Sequence, residues 1–132
     1  MKKSPVSKRI GKKPMSLRER PTPRALAAAV IPTPQIMAPA NGTVFGPGEA
    51  VRVHVSTNRP DLQSIVWLIA PDGTVVDKVA VTWPAAAPFE ADVVVNVPDP
   101  ADAFYTLELE QINDLATTDG GFWVHAIQLI VE

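Results

Sequence analysis

The side chains able to do chemistry are few and scattered along this 132-residue chain. There are two histidines, His54 and His125, whereas a metal site needs several His, Asp or Glu ligands in a cluster. Neither histidine stands in a ligand-spaced motif, so no metal is expected. Asp99, Asp102, Asp114 and Asp119 fall in loop-like stretches and offer calcium ligands, although loop aspartates more often shape turns. Cysteine is absent. That removes thiol catalysis, disulfide scaffolds and Cys-zinc sites, and leaves the redox compartment undetermined. Acyl transfer requires a serine beside a base and an orienting acid. Residues 35–132 contain two serines, Ser56 and Ser64, and neither sits in a Gly-x-Ser-x-Gly turn. Glu108 and Glu110 share a strand face, but a glycosidase needs its two carboxylates across a cleft, and neighbouring strand acids more often keep a sheet soluble. No Gly-Lys-Ser/Thr phosphate loop or dinucleotide glycine pattern occurs. The expectation is a protein with no enzymatic activity and no cofactor.

Binding chemistry is better represented. Trp83, Phe89, Phe122 and Trp123 stand at strand ends or loops, where an aromatic face can stack on a sugar. Trp83 and Trp123 are the candidate ligand-facing aromatics. The alternative is core filling, because a small domain with few aromatics normally buries them. The cations are strongly segregated. Residues 1–24 hold nine of the twelve Lys and Arg (Lys2, Lys3, Lys8, Arg9, Lys12, Lys13, Arg18, Arg20 and Arg24) against one acid, Glu19, a net +8. The other three bases and thirteen acids give the rest of the chain a net −10. This asymmetry reads as a basic tail on an acidic domain. Three uses of the tail stay open: a solvated solubility tail, a grip on an acidic protein surface inside an assembly, or contact with nucleic acid or another polyanion. Counterion release needs charge density but no particular sequence. The tail has no Tyr, Phe or Trp to stack on bases, so a nucleic-acid contact would be to phosphates and unspecific.

Residues 1–34 carry six prolines and few large apolar side chains. Such a segment cannot bury enough surface to offset its ordering entropy, and alone it reads as a solvated arm. Fully extended it spans about 110 Å at roughly 3.3 Å per residue. Thr22 and Pro23 are a helix-start pair ahead of Arg24-Ala25-Leu26-Ala27-Ala28-Ala29-Val30, so a short helix docked through Leu26 competes with an alanine-rich linker. Ala25–Ile31 is also a minimal apolar stretch for a secretory leader, although its basic forerun is long and broken by prolines. No apolar run approaches the roughly 18 residues of a membrane span.

Residues 35–132 are the domain, and their pattern is short runs separated by turn residues. Val51-Arg52-Val53-His54-Val55-Ser56 alternates apolar and polar, which predicts a half-buried strand. Ser64–Ile69 is apolar on both faces, as in a central strand. Pro71-Asp72-Gly73 is a tight turn, and Thr74–Val81 returns as the partner strand. Phe89–Val97 alternates and stops at Pro98-Asp99-Pro100. Tyr105–Glu110 places Tyr105, Leu107 and Leu109 inside. Gly120-Gly121 leads into Phe122–Val131, apolar on both faces. With an opening edge near Gln35–Phe45, about seven strands are expected and no long helix, so the fold class is all-β, a sandwich or a barrel. The second apolar face of the last strand predicts a cover, either the arm or another subunit.

Pro39-Ala40-Asn41-Gly42-Thr43-Val44, Val66-Trp67, Pro71-Asp72-Gly73 and Tyr105-Thr106-Leu107 resemble the immunoglobulin-like and fibronectin-III-like domains of bacterial and phage proteins. The resemblance covers residues 35–132 and implies an antiparallel β-sandwich. It further implies that Trp67 packs between the sheets and that the Tyr105 hydroxyl bonds back to the chain at a corner. The cysteine pair of antibody domains is absent. The fold hosts many functions, so the overall plan sets the functional expectation: a structural, non-enzymatic protein whose basic arm anchors a displayed domain to other subunits of a large complex. A tailed-phage virion, with this chain as a capsid decoration or accessory protein against capsid protein, fits that plan best. Self-association belongs to the same expectation. A secreted or cell-surface module binding glycan or protein, and a nucleic-acid-associated protein using its arm on phosphates, are the alternatives.

Overall fold

The structure, a computed structural model, describes residues 30–113 and 121–132. The chain divides into two units, Met1–Ile31 and Pro32–Glu132. The arm cations Lys2 through Arg24, Leu26, and the loop aspartates Asp114 and Asp119 lie outside the described residues.

Eight strands are described: β1 Gln35–Ala38, β2 Val44–Phe45, β3 Ala50–Ser56, β4 Gln63–Ile69, β5 Val75–Ala80, β6 Glu90–Asn96, β7 Phe104–Asn113 and β8 Gly121–Val131. No helix occurs among the described residues. One sheet has the order β1-β3-β6, the other β2-β8-β7-β4-β5. Every pairing is antiparallel except β2 on β8. The all-β class read from the alternation is observed, and the two sheets are consistent with a β-sandwich, one of the two architectures left open by it.

The opening edge is two strands where one was expected. Pro39 ends β1, and Gly42, with φ at 85°, lets the chain turn where a side chain would be strained. The chain thereby leaves the first sheet and joins the second as β2. The penultimate strand also runs further than Glu110, because Gln111 continues the inward alternation and is fully buried.

The core is built by period-two alternation. Val51, Val53 and Val55 of β3, with Ile36 and Val95, face Val66, Leu68, Leu107, Leu109, Leu129 and Val131. Fully burying such a side chain contributes roughly 1.5–3 kcal/mol. All of these residues lie between 36 and 131, so the second unit carries its core within itself.

Polar groups close the two ends. Tyr105 is buried, and its hydroxyl accepts the Asp102 N–H at 2.9 Å. This is the corner bond expected of it. At the opposite end, Gln111 Nε2 donates to the Arg59 carbonyl and to Ser64 Oγ, both at 2.9 Å. Its Oε1 accepts the Thr57 hydroxyl at 2.7 Å. These bonds tie the 57–62 loop to β7 and leave the buried amide satisfied.

The interior makes two predictions, read as denaturant unfolding midpoints at constant m-value. Tyr105→Phe removes one hydrogen bond from an otherwise intact core and is expected to cost about 1 kcal/mol. Gln111→Leu leaves the Thr57 hydroxyl without its acceptor and takes one donor each from the Arg59 carbonyl, which keeps the Leu62 N–H, and from Ser64 Oγ, and about 2–3 kcal/mol is expected. Equal midpoints for Gln111→Leu and the native chain would remove the network's structural role.

Candidate functional site

The outer face of the five-stranded sheet is where apolar side chains meet solvent. Continuous registers place Val124 beside Glu110 and Ile65, Ala126 beside Glu108 and Trp67, and Phe122 beside Ile112. At one end, Ile130 lies between Phe104 and Val44. Phe122 is 68% exposed and Val124 43%, and Val44, Phe104 and Ile130 are also open. The alternation of β8 explains this. Its odd residues Trp123, His125, Ile127, Leu129 and Val131 turn inward, and its even residues turn out. The last strand was expected to be apolar on both faces and to be covered on the second. None of the described residues covers it.

Trp67 belongs to this outer face and does not pack between the sheets. Ser64, Val66 and Leu68 take the inward positions of β4, which leaves Ile65, Trp67 and Ile69 half-buried outside. The Trp67 indole donates its N–H to Glu110 Oε1 at 3.1 Å, and Lys78 Nζ lies 5.5 Å from its ring centroid. A cation over the face and a carboxylate on the edge suit the ring's quadrupole. They also engage the indole within its own sheet. Trp67, Val75, Val76, Asp77 and Lys78 line a shallow depression beside it.

The two candidate ligand-facing tryptophans are both half-buried. Trp83 packs against the core and donates its N–H to the buried Ser64 Oγ at 2.9 Å. Trp123 sits on the inward alternation of β8 opposite Gln111, and Phe122 is the ring left open. Ser64 Oγ takes N–H bonds from Trp83 and Gln111 and donates to the Leu62 carbonyl at 3.0 Å. Its hydroxyl is therefore consumed in structure.

The outer face of the three-stranded sheet is polar. His54 on β3 lies between two carboxylates of β6, with Nδ1 2.9 Å from Asp92 and Nε2 2.8 Å from Glu90. A neutral imidazole has a single N–H, so serving both acceptors favours the imidazolium. Accordingly the His54 pKa is raised, first by the Asp92 hydrogen bond and then by that of Glu90. Arg52 adds a longer contact of 3.9 Å to Asp92. Among the described residues no cluster of three His, Asp or Glu side chains has the arrangement for a metal ion. His125 serves structure, its Nδ1 accepting the Ile36 N–H at 2.8 Å and linking β8 to β1 across the sandwich.

A third polar group stands at the Gln111 end. The Arg59 side chain is 4% exposed yet forms a two-pronged pair with Asp61, Nε to Oδ1 at 2.8 Å and Nη2 to Oδ2 at 2.7 Å. The guanidinium holds the Asp61 carboxyl below the ordinary carboxylate range. Read as sequence alone, Arg59 has no distinction from any loop arginine. Its only local signal was an aspartate two residues on.

No family model matches the chain, and no curated protein matches it. Among the solved structures it is similar to are two of all-β fold. One is an engineered protein, 20% identical with a TM-score of 0.52, where the match covers 77% of this chain and 20% of that one. The other is a chitin-binding domain from Burkholderia pseudomallei, 16% identical with a TM-score of 0.47, covering 69% of this chain and 57% of that one. The chain thus spans a fifth of the first and little more than half of the second. The likeness to the first fits a β-sandwich domain and shows fold alone.

The His54 clip predicts a pH dependence. A histidine whose folded pKa is raised stabilises the fold fully below its unfolded pKa of about 6.5, and that contribution is lost as pH rises through the folded value. The stability gap between native chain and His54→Gln should therefore be larger at about pH 5.5 than at about pH 9, measured by urea unfolding. A gap that does not change with pH would show that the imidazolium contributes nothing.

Proposed function

We propose that this chain is a non-enzymatic assembly protein, an immunoglobulin-like domain fastened by its basic arm to a large complex, most simply as a decoration or accessory protein on a tailed-phage capsid. One observation carries the reading. A domain whose interior is fully packed leaves Phe122, Val124, Phe104, Ile130 and Val44 open on one sheet face. These open side chains form two apolar groups at the ends of β8, with Glu108, Glu110, Thr106 and Gln128 beside and between them, and exposed apolar groups of this kind suit a face that meets another protein. The charge segregation supports the other half of the reading, because a +8 arm on a −10 domain is built to hold something negative at a distance from the domain.

The immunoglobulin-like assignment is supported by strand order. The first, third and sixth strands form one sheet, and the fourth, seventh and eighth lie side by side in the other. It is also supported by the Tyr105 corner bond near the start of the penultimate strand. The outward Trp67 departs from that pattern. The secreted glycan-binding reading calls for an open indole and draws less support, since Trp83 is bonded to Ser64 and Trp67 lies between Lys78 and Glu110.

The test compares the full chain with a chain beginning at Pro32, which keeps every core residue. Both should be folded by circular dichroism, and only the full chain should be retained on the native high-mass particle. Equal retention would overturn the anchoring model. The nucleic-acid alternative has its own readout. If about six arm cations touch phosphate, log affinity for duplex DNA falls against log salt with a slope near −5, whereas the capsid reading expects no duplex binding of that steepness.

A further inference from the structure

The backbone edge of β8 is open along most of its length. Gln128 donates its N–H to Asn41 Oδ1 at 2.7 Å, and its carbonyl accepts the Gly42 N–H at 2.7 Å, both on the side away from β7. Ile130 likewise donates to the Thr43 carbonyl. In an antiparallel ladder such groups recur every second residue. With no bulge between β7 and β8, the N–H and C=O of Phe122, Val124 and Ala126 face the same side. β2 reaches no further than Ile130 and Val131, and among the described residues nothing bonds those three residues on that side. The side chains left exposed and the backbone groups left open thus belong to the same three residues.

The other edges are guarded. Asp77 of β5 accepts the Lys78 N–H with Oδ1 and the Asn96 N–H of β6 with Oδ2, which blocks both margins at once. Exposed Glu90 and Asp92 line β6. β1 has four residues and β2 has two. β8 has eleven, with no proline and no Asp, Glu, Lys or Arg. Proteins normally protect a long edge with such residues. Its omission here fits an edge meant to pair.

We infer that β8 pairs antiparallel with β8 of a second copy, across a two-fold axis at Val124, joining two five-stranded sheets into one of ten. The register follows from the open groups. Val124 meets its own counterpart, and Phe122 meets Ala126, large against small on the outer face. Charge selects the same edge. Two domains of net −10 repel, and among the described strands β8 is the long margin that carries no acidic residue of its own. Among the described residues the nearest acids across the axis are the two Glu110 residues, each one strand inward. Three strand spacings of about 4.8 Å hold them roughly 14 Å apart, beyond the screening length of about 8 Å at physiological ionic strength. A two-fold pairing uses up both edges and closes, so it yields a dimer and not a filament. This pairing is independent of what the arm grips.

The experiment takes the full chain at tens of micromolar. Sedimentation should give twice the chain mass, and hydrogen exchange should show the amides of Phe122, Val124 and Ala126 protected at high concentration and released on dilution. Val124→Lys puts a charge at the axis on an exposed side chain and should give a folded monomer whose melting temperature, unlike that of the native chain, no longer rises with concentration. Ala126→Lys is the second variant. A monomeric native chain, or those three amides exchanging freely in the dimer, would overturn the pairing. So would a dimer that survives both lysines, or one that is lost when the chain begins at Pro32 but kept in Val124→Lys. Exchange in the native chain decides the matter even if a lysine variant fails to fold.

Discussion

A sandwich of two open sheets leaves its outermost strands with rows of amides and carbonyls that the fold itself cannot satisfy. How this chain treats those rows governs the rest of its structure. The Asp77 carboxylate reaches from β5 to the Asn96 amide of β6 and so connects the margins of the two sheets on one side. On the other side β1 and β2 divide the work. β1 stays with the three-stranded sheet, and β2 crosses to cover the end of β8. Ile36, in register with Val55 of β3, donates its N–H to the His125 ring of β8 in the other sheet. One margin is closed by a carboxylate, another by a split strand, and the early half of β8 by neither.

The polar interior has a related logic. Gln111 sits where the inward alternation of β7 would call for another leucine. Its amide instead satisfies the carbonyl of Arg59 and the hydroxyls of Ser64 and Thr57. A fully bonded polar group of this kind fixes a loop more narrowly than an apolar contact would, because a small displacement breaks several directional bonds together. Trp83 is drawn into the same group through Ser64, so the segment after β5 is fastened to the start of β4. The 57–62 loop, β4, β7 and the segment after β5 are thereby joined through one bonded group at that end of the sandwich.

Much of this was legible in the residues. Strict alternation in Val51–Ser56 and Tyr105–Glu110 settles which side chains face inward, since a one-residue slip would expose every valine. Pro71-Asp72-Gly73 is a turn with a visible mechanism, and the structure uses Gly73 at positive φ with Asp72 bonding the Thr74 amide. Trp67 was not legible, because β4 is apolar on both faces and alternation then fixes a spacing without a direction. The inward side is set by the partner strand, where Leu107 and Leu109 align with Leu68 and Val66. Gln111 and Arg59 were missed for the opposite reason. Their type reads as surface; the Gln111 amide is satisfied by partners more than forty residues away, and the Arg59 guanidinium is buried although its aspartate partner is only two residues on. The β1–β2 split depends on which sheet each half joins, and a one-dimensional pattern does not contain that choice.

Charge and apolar surface then have to be weighed together. A domain at −10 is kept soluble by self-repulsion, so an exposed apolar face on it does not by itself lead to indiscriminate association. Repulsion acts on every approach, while the apolar gain arises only where a partner fits the face closely enough to exclude water. The carboxylates Glu108 and Glu110 lie within that face, one strand from the edge, and Glu110 is held by the Trp67 indole. A partner docking flat on the sheet must desolvate them, which costs several kcal/mol per ion without a matching cation. A partner joining at the β8 edge leaves both in water. The face therefore selects between two kinds of neighbour: one that brings its own positive charge to the glutamates, and one that approaches from the margin and never covers them.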